Sequence, residues 1–249
     1  LFEGVCTGAA DGYARMRGTP AATLLHLGAG LANGVANLHN ARRAATPIVN
    51  LVGDHGVHHV PYDAPLTADI EGIAAPVSAW VRTARTAEGL AGDGLDAVIA
   101  ALTPRPDPAG NIATLIIPAD CAWGESRPGI ARPLPARRQP CDPAAIPAAA
   151  AGLGPHSVLL LDGNALSAAG LAAAGRIAAH TGCRVFTVTF PARVECGPGV
   201  YPAARLPYFP EQIIETLAGV KQLVLVGAEP PVSFFAYRQL PSYLVPDGC

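Results

Sequence analysis

Short apolar runs alternate with helix-like patterns along most of the chain. The segment "AATLLHLGAG" (21–30) predicts a buried strand that ends in a glycine turn. The next segment, "LANGVANLHNARRAA" (31–45), predicts a helix because its apolar residues recur at i, i+4 and i+7. A further buried strand is predicted at 46–54. This alternation of strands with helices is typical of α/β proteins with a parallel sheet.

The pattern is interrupted once, by a segment rich in Pro and Arg near the middle of the chain. Residues 126–142 show neither a helical nor a strand period and predict a linker. A helix at 89–104 and a strand at 111–120 precede it. After it, strands and helices are predicted at 156–164, 165–182, 183–190, 210–219 and 221–231. We therefore expect two doubly wound α/β parallel-sheet domains, residues 1–125 and 143–249.

Composition narrows the class of protein further. The 249 residues are 50% hydrophobic and 14% charged, which is typical of a folded globular chain and argues against disorder. A net charge of −2 predicts no binding to nucleic acid. The chain shows neither a signal peptide nor an apolar run long enough for a membrane span, so we expect a cytoplasmic protein without membrane contact. Its six cysteines form no C-x-x-C pair, and no zinc site is predicted.

Candidate chemistry follows the first predicted strand. Gly28 and Gly30 would begin a dinucleotide-binding fingerprint, but Asn33 stands where the third glycine is needed. This mismatch disfavours a nicotinamide- or flavin-dependent oxidoreductase, and the glycines instead let the turn pass close to a ligand or a neighbouring chain. His26 lies near the carboxyl end of the strand, where ligands of open α/β sheets bind. A buried histidine paired with a backbone carbonyl remains the alternative.

A second candidate is the polar loop "GDHGVHHVPYD" (53–63). It collects Asp54 and three histidines directly after a predicted strand. An active-site loop is favoured over a metal site, because the segment follows a strand end and its histidines lie in a predicted loop, not on one face of a helix.

The beginning of the chain raises a different question. "LFEGVCTGAADGYARM" (1–16) places the carboxylate of Glu3 among small apolar residues, and the first cation is Arg15. A surface helix normally surrounds such a group with other charges.

Four motifs together give this position a meaning. Glu3 stands eight places before Asp11 of an Ala-Asp-Gly-Tyr run, and the motifs "LHLGAGLANGVANLHNA", "PIVNLVGD" and "GNIATLIIPADCAWGE" follow in order. This order resembles the pyrimidine-binding domain of thiamine-diphosphate enzymes of the acetolactate synthase and benzoylformate decarboxylase group. Asp54 departs from the family's Gly-Gln strand ending. The second domain is similar to the family's central domain in pattern and position.

The resemblance implies roles for individual residues. Glu3 would hydrogen-bond the N1′ nitrogen of the cofactor's aminopyrimidine, and a carboxyl group in an apolar pocket tends to keep or share its proton. The shared proton would favour the imino tautomer that deprotonates the thiazolium C2. His26 matches an active-site histidine of the benzoylformate decarboxylase branch, which would bind the substrate carboxylate or relay protons. Contacts with the cofactor are implied for Gly28, Gly30, Asn33 and Asp54.

The resemblance also implies an activity. We expect part of an enzyme acting on 2-keto acids, by acetolactate synthase-like carboligation or by decarboxylation, through a C2 ylid and an enamine. The position of His26 favours decarboxylation. The sequence as a whole resembles acetolactate synthase-like proteins and favours carboligation, so both activities stay open. The family's third domain, which binds Mg²⁺ and the diphosphate, has no counterpart here, so we expect a chain truncated at both ends and inactive alone.

The parent protein is expected to form a homodimer or homotetramer, because the family builds its site between subunits. The alternative is a degenerate or truncated relative that is not catalytic and only pairs with a full-length subunit.

Overall fold

Each of two units of the chain is built around a four-stranded parallel sheet. The computed structural model describes residues 2–103, 111–126 and 142–249. Its units are Leu1–Gln139 and Pro140–Cys249. The predicted class, two doubly wound parallel-sheet domains, is confirmed. The predicted linker at 126–142 lies outside the described residues except for its first and last residue, and the predicted domain limits stay predictions.

The first unit contains five helices and four strands among its described residues. In chain order they are α1 (Glu3–Arg17), β1 (Ala21–His26), α2 (Leu27–Arg43), β2 (Ile48–Asp54), α3 (Ile70–Ala74), β3 (Trp80–Thr83), α4 (Leu90–Leu102), β4 (Ile112–Pro118) and α5 (Ala119–Trp123). The strand order is β1-β2-β4-β3. No element was predicted for residues 67–88, where α3 and β3 lie.

The central strands β2 and β4 carry buried side chains on both faces of the sheet, because successive side chains of a strand point to opposite sides. On β2, Ile48 and Val52 pack in one apolar cluster with Leu31 and Leu38 of α2. Val49 packs in a second cluster that contains the buried alanines of α4. The runs predicted as strands at 46–54 and 111–120 are therefore buried on both sides, as in other doubly wound folds. The run predicted as a buried strand at 21–30 is not, because β1 alternates between buried and exposed residues and Leu24 is 77% exposed.

A chain of polar side chains crosses the interior of the sheet. Thr23 Oγ1 donates to Asn50 Oδ1 at 2.8 Å, and Asn50 Nδ2 donates to Thr114 Oγ1 at 3.1 Å. The three residues face one another in the register of β1, β2 and β4 and are buried. The Thr114 hydroxyl also pairs with Ser78 Oγ at 2.8 Å. Buried polar groups must be paired in this way to avoid a large desolvation cost.

The glycine turn predicted at the end of β1 is wrong. The chain passes directly from His26 into α2 at Leu27, whose φ of 54° is left-handed. Gly28 and Gly30 therefore lie in the first turn of the helix, which begins four residues earlier than predicted. A Cβ at Gly28 would overlap with the Cβ of Ala68, so close packing, rather than a turn, requires glycine there.

The second unit repeats the same architecture with fewer residues. Its elements are α6 (Ala145–Ala151), β5 (Ser157–Leu161), α7 (Ala168–Thr181), β6 (Arg184–Thr187), β7 (Ala204–Arg205), α8 (Pro210–Leu217) and β8 (Gln222–Val226). The strand order is β7-β6-β5-β8. Gly182 ends α7 with a φ of 75°, as its position after the helical pattern predicts. The elements α6 and β7 were not predicted. None of the helices in the described ranges is long and apolar enough to cross a membrane.

Candidate functional site

The site is organised by the close crossing of α1 and α2. A Cβ at Gly34 would lie 2.8 Å from Thr7 Cγ2, and the Thr7 hydroxyl donates to the Gly34 carbonyl oxygen at 3.1 Å. Asn37 Nδ2 donates to the Gly4 carbonyl oxygen at 2.6 Å. Gly4 and Thr7 belong to the first two turns of α1, so these two hydrogen bonds tie the start of α1 to α2 and fix the position of α1.

This crossing brings four of the predicted site residues together. Glu3, in the first turn of α1, is half-buried, and Asn33 Nδ2 donates to its Oε2 at 2.9 Å. A Cβ at Gly30 would lie 3.3 Å from Glu3 Oε1 and 3.3 Å from the Cβ of His26. His26 ends β1 and is exposed, so the alternative of a buried, carbonyl-paired histidine is wrong. The four residues form one group at the carboxyl edge of the sheet.

The charge state of Glu3 differs from the expectation for an apolar pocket. The hydrogen bond from Asn33 is the largest cause that lowers the pKa of Glu3 below its usual range, and desolvation opposes it. A donor that binds the charged form favours ionisation. The described residues therefore hold Glu3 as a carboxylate, because desolvation within this chain is outweighed by the hydrogen bond from Asn33.

The remaining two predicted residues lie elsewhere. Gly28 packs against Ala68 and the side chains of α3, and its contact with a cofactor stays a prediction. Asp54 ends β2 and accepts a hydrogen bond from the His55 N–H at 2.7 Å. Its strand end neighbours that of β1, because His26 pairs with Gly53 in the sheet register. Asp54 helps to line a cavity of about 210 Å³, together with Ala68, Asp69, Ile70, Glu71, Thr83 and Ile116.

Two carboxyl groups of this cavity were not recognised in the sequence. Asp69 caps α3, accepting from the Gly72 N–H at 2.8 Å, and Glu71 accepts from the Thr83 hydroxyl. An Asp placed directly before "IEGIA" is a helix-start signal that could have revealed the first of them. Both groups already hold intramolecular partners. Within the described ranges no cluster of His, Cys, Asp and Glu is arranged to hold a metal ion.

Aromatic rings within the polar loop 53–63 contact one another. The rings of His55 and His59 meet edge-to-face with centroids 5.2 Å apart, and His59 lies 6.2 Å from the Tyr62 ring. A short 3₁₀ turn, Val60–Tyr62, follows. The role of this segment as an active-site loop stays a prediction.

Comparison with known proteins shows what the chain is similar to. Residues 1–73 match the family described as "Thiamine pyrophosphate enzyme, N-terminal TPP binding domain". The chain is 49% identical over 250 residues to a Mycobacterium tuberculosis protein provisionally named acetolactate synthase large subunit IlvX. It is 30% identical over 262 residues to benzoylformate decarboxylase of Pseudomonas aeruginosa. Both alignments cover 100% of this chain and 47% of the relative, so the chain spans about half the length of these proteins.

Solved structures agree with the fold. A Mycobacterium smegmatis protein provisionally described as a thiamin diphosphate-dependent enzyme superposes with a TM-score of 0.81 at 25% identity, covering 100% of this chain and 47% of that one. The thiamine diphosphate-dependent 4-hydroxybenzoylformate decarboxylase of Rhodococcus jostii RHA1 superposes with a TM-score of 0.77 at 21% identity, with the same coverage. The second likeness concerns the fold alone.

Proposed function

We propose that this chain, whose residues 1–73 match the thiamine pyrophosphate enzyme N-terminal domain, contributes Glu3 and His26 to a site that acts on a 2-keto acid. The observation that carries the proposal is the Glu3 carboxylate at the carboxyl edge of the first sheet, bonded by Asn33 and next to His26. Ligands of open parallel sheets bind at this edge. The family match includes these residues, since it extends over 1–73.

The residues present fit the pyrimidine end of thiamine diphosphate. Asn33 donates a hydrogen bond to Oε2 of Glu3, while Oε1 faces the position that a side chain at Gly30 would fill. A carboxylate with one oxygen already bonded can accept or share a proton on the other. When bound, thiamine diphosphate supplies a carbon nucleophile and an electron sink. The Mg²⁺ and diphosphate contacts expected for the family are assigned to its third domain.

Each residue then has a defined task. Glu3 shares a proton with a ring nitrogen of the cofactor through Oε1. His26, exposed at the end of β1, binds the carboxylate of the substrate or transfers a proton to it. Gly30 keeps the space between them free of side-chain atoms.

The reaction is proposed to be acetolactate synthase-like carboligation or decarboxylation of a 2-keto acid. The acetolactate synthase name of the Mycobacterium tuberculosis relative supports carboligation, and the benzoylformate decarboxylase name of the Pseudomonas aeruginosa relative supports decarboxylation. The parent is proposed to be a homodimer or homotetramer, with α1 as part of the contact, because three apolar side chains of this helix are exposed: Val5, Tyr13 and Met16. The 249-residue chain alone is proposed to be inactive.

Replacing Glu3 by Gln in the complete gene product tests the function directly. The amide keeps the size of the side chain but cannot share the proton, so exchange of the thiazolium C2 proton of bound thiamine diphosphate should slow by roughly 10²- to 10⁴-fold. The exchange is measured by NMR after acid quench in deuterated buffer, and turnover is followed with pyruvate and with benzoylformate.

Glu88→Gln, at an exposed position of the same unit, is the matched control and should leave exchange unchanged. Exchange that is as fast in Glu3→Gln as in the unsubstituted protein would refute the proposal. If the unsubstituted protein binds the cofactor but does not accelerate exchange, the non-catalytic alternative is supported instead.

A further inference from the structure

Two asparagines of α2 contact consecutive residues of α1. Asn33 and Asn37 are one helical turn apart and therefore lie on the same side of the helix. Asn37 binds the backbone carbonyl of Gly4 at 2.6 Å, and Asn33 binds the side chain of Glu3 at 2.9 Å. The backbone and the side chain at the start of α1 are thus held by separate hydrogen bonds from one helix face.

The two contacts have different consequences for Glu3. A glutamate has three side-chain torsions, and an unrestrained carboxylate in the first turn of a helix samples several of them. The bond to Asn37 fixes only where the helix begins. The bond to Asn33 restricts the carboxylate itself and leaves Oε1 beside Gly30 and His26.

We propose that Asn33 is a positioning residue for Glu3: by donating to Oε2 it presents Oε1 to the site. This role is distinct from the direct contact with the cofactor that the sequence implied for Asn33: it uses one N–H of the amide, which Glu3 accepts, and needs neither the other N–H nor Oδ1. The role in catalysis rests on the proposed function, but the contact can be tested without it.

The test is a carboxyl titration of the 249-residue chain without cofactor. Glutamate labelled with ¹³C at the δ carbon is followed by NMR, and Glu3→Gln identifies the Glu3 signal. Asn33→Ala removes the donor, so the pKa of Glu3 should rise toward its ordinary value. Asn33→Asp should raise it further, because a like charge then faces the carboxylate. Asn33 is exposed, and both variants are expected to fold.

Asn40→Ala, an exposed position on the same helix, is the matched control and should leave the titration of Glu3 unchanged. A residue that only contacts the cofactor would not alter this titration either. An unchanged pKa of Glu3 in folded Asn33→Ala and Asn33→Asp therefore overturns the inference, while the proposed function stands or falls with the exchange rate of Glu3→Gln. In the complete enzyme, Asn33→Ala should move the acid limb of the kcat profile to higher pH.

Discussion

The two sheets have the same parallel architecture but different interiors. In the first unit, β2 buries Asn50 between the hydroxyl groups of two neighbouring strands. In the second unit, β5 is buried along its whole length and is aliphatic from Val158 to Leu161. Burial in a doubly wound sheet thus demands apolar side chains only where no neighbour can pair a polar one.

Carboxyl groups in the two units also respond oppositely to their surroundings. A hydrogen bond from Asn33 lowers the pKa of Glu3, whereas burial raises the pKa of Asp162, which directly follows β5. The N–H of Gly163 donates to Asp162 at 2.7 Å and only partly offsets this desolvation. The first unit therefore stabilises a charge at its candidate site, and the second unit disfavours one after its central strand.

The largest effect is expected where the apolar interior of β5 is made polar. Leu160 is 1% exposed and packs in a hydrophobic cluster, so the amide of Leu160→Asn would be buried among side chains that cannot form hydrogen bonds with it. The free energy of unfolding should fall by roughly 3–5 kcal/mol, from lost burial and from desolvation of the amide. Urea unfolding followed by circular dichroism measures the change.

Leu160→Met is the control for altered shape, because it conserves volume and should cost less than about 1.5 kcal/mol. Both tryptophans, Trp80 and Trp123, belong to the first unit, so their fluorescence reports on that unit separately. If Leu160→Asn costs no more than Leu160→Met, the contrast between the two interiors is wrong.

The reciprocal change in β2 should have a smaller effect. Asn50→Leu supplies apolar volume but leaves the Thr23 hydroxyl without its acceptor. The Thr114 hydroxyl keeps its hydrogen bond with Ser78. A loss of roughly 1–3 kcal/mol in the free energy of unfolding is expected, the cost of one unpaired buried group. Tryptophan fluorescence during urea unfolding provides the measurement.

Combining Asn50→Leu with Thr23→Val removes the orphaned hydroxyl as well. The double variant should therefore lose less stability than the sum of the two single variants. Strict additivity would show that the polar chain across the sheet is not a coupled unit.

Parts of the fold were predictable because they depend on local patterns. The strands β2 and β4 are mostly apolar, and α7 has both a helical period and a terminal glycine. The start of α2 was not predictable. The glycine at position 28 makes room for Ala68, which lies forty residues later in the sequence and packs against Gly28 only in the folded chain. Tertiary packing can place glycines inside a helix where local propensity indicates a turn.

The candidate site was predictable in membership but not in its electrostatics. Glu3, His26, Gly30 and Asn33 were selected through motif order, and the fold brings them together. The partnership of Asn33 with Glu3 spans thirty residues and depends on how two helices cross. Spacing along one chain does not reveal such a contact, so the sequence did not indicate that the pKa of Glu3 is lowered within this chain.

The smallest effect concerns the second carboxyl group. Because burial raises the pKa of Asp162 in the folded state, the fold binds a proton there more tightly than the unfolded chain does. Stability from this group is complete below the unfolded-state pKa and is lost as the pH rises through the raised folded-state pKa. Asp162→Asn removes the charge while its Oδ1 can still accept from Gly163, so at pH 7 the variant should melt at a slightly higher temperature.

The difference between Asp162→Asn and the unsubstituted chain should shrink as the pH falls below the ordinary range of an aspartate, because the native carboxyl group is then neutral too. Thermal unfolding followed by circular dichroism at pH 7 and at pH 3.5 provides the comparison. Asp247→Asn, at an exposed position, controls for the change in net charge and should show no such pH-dependent gain. A variant that is less stable than the unsubstituted chain at pH 7 would mean that the bond to Gly163 outweighs desolvation, and the two carboxyl groups would then be held in the same way.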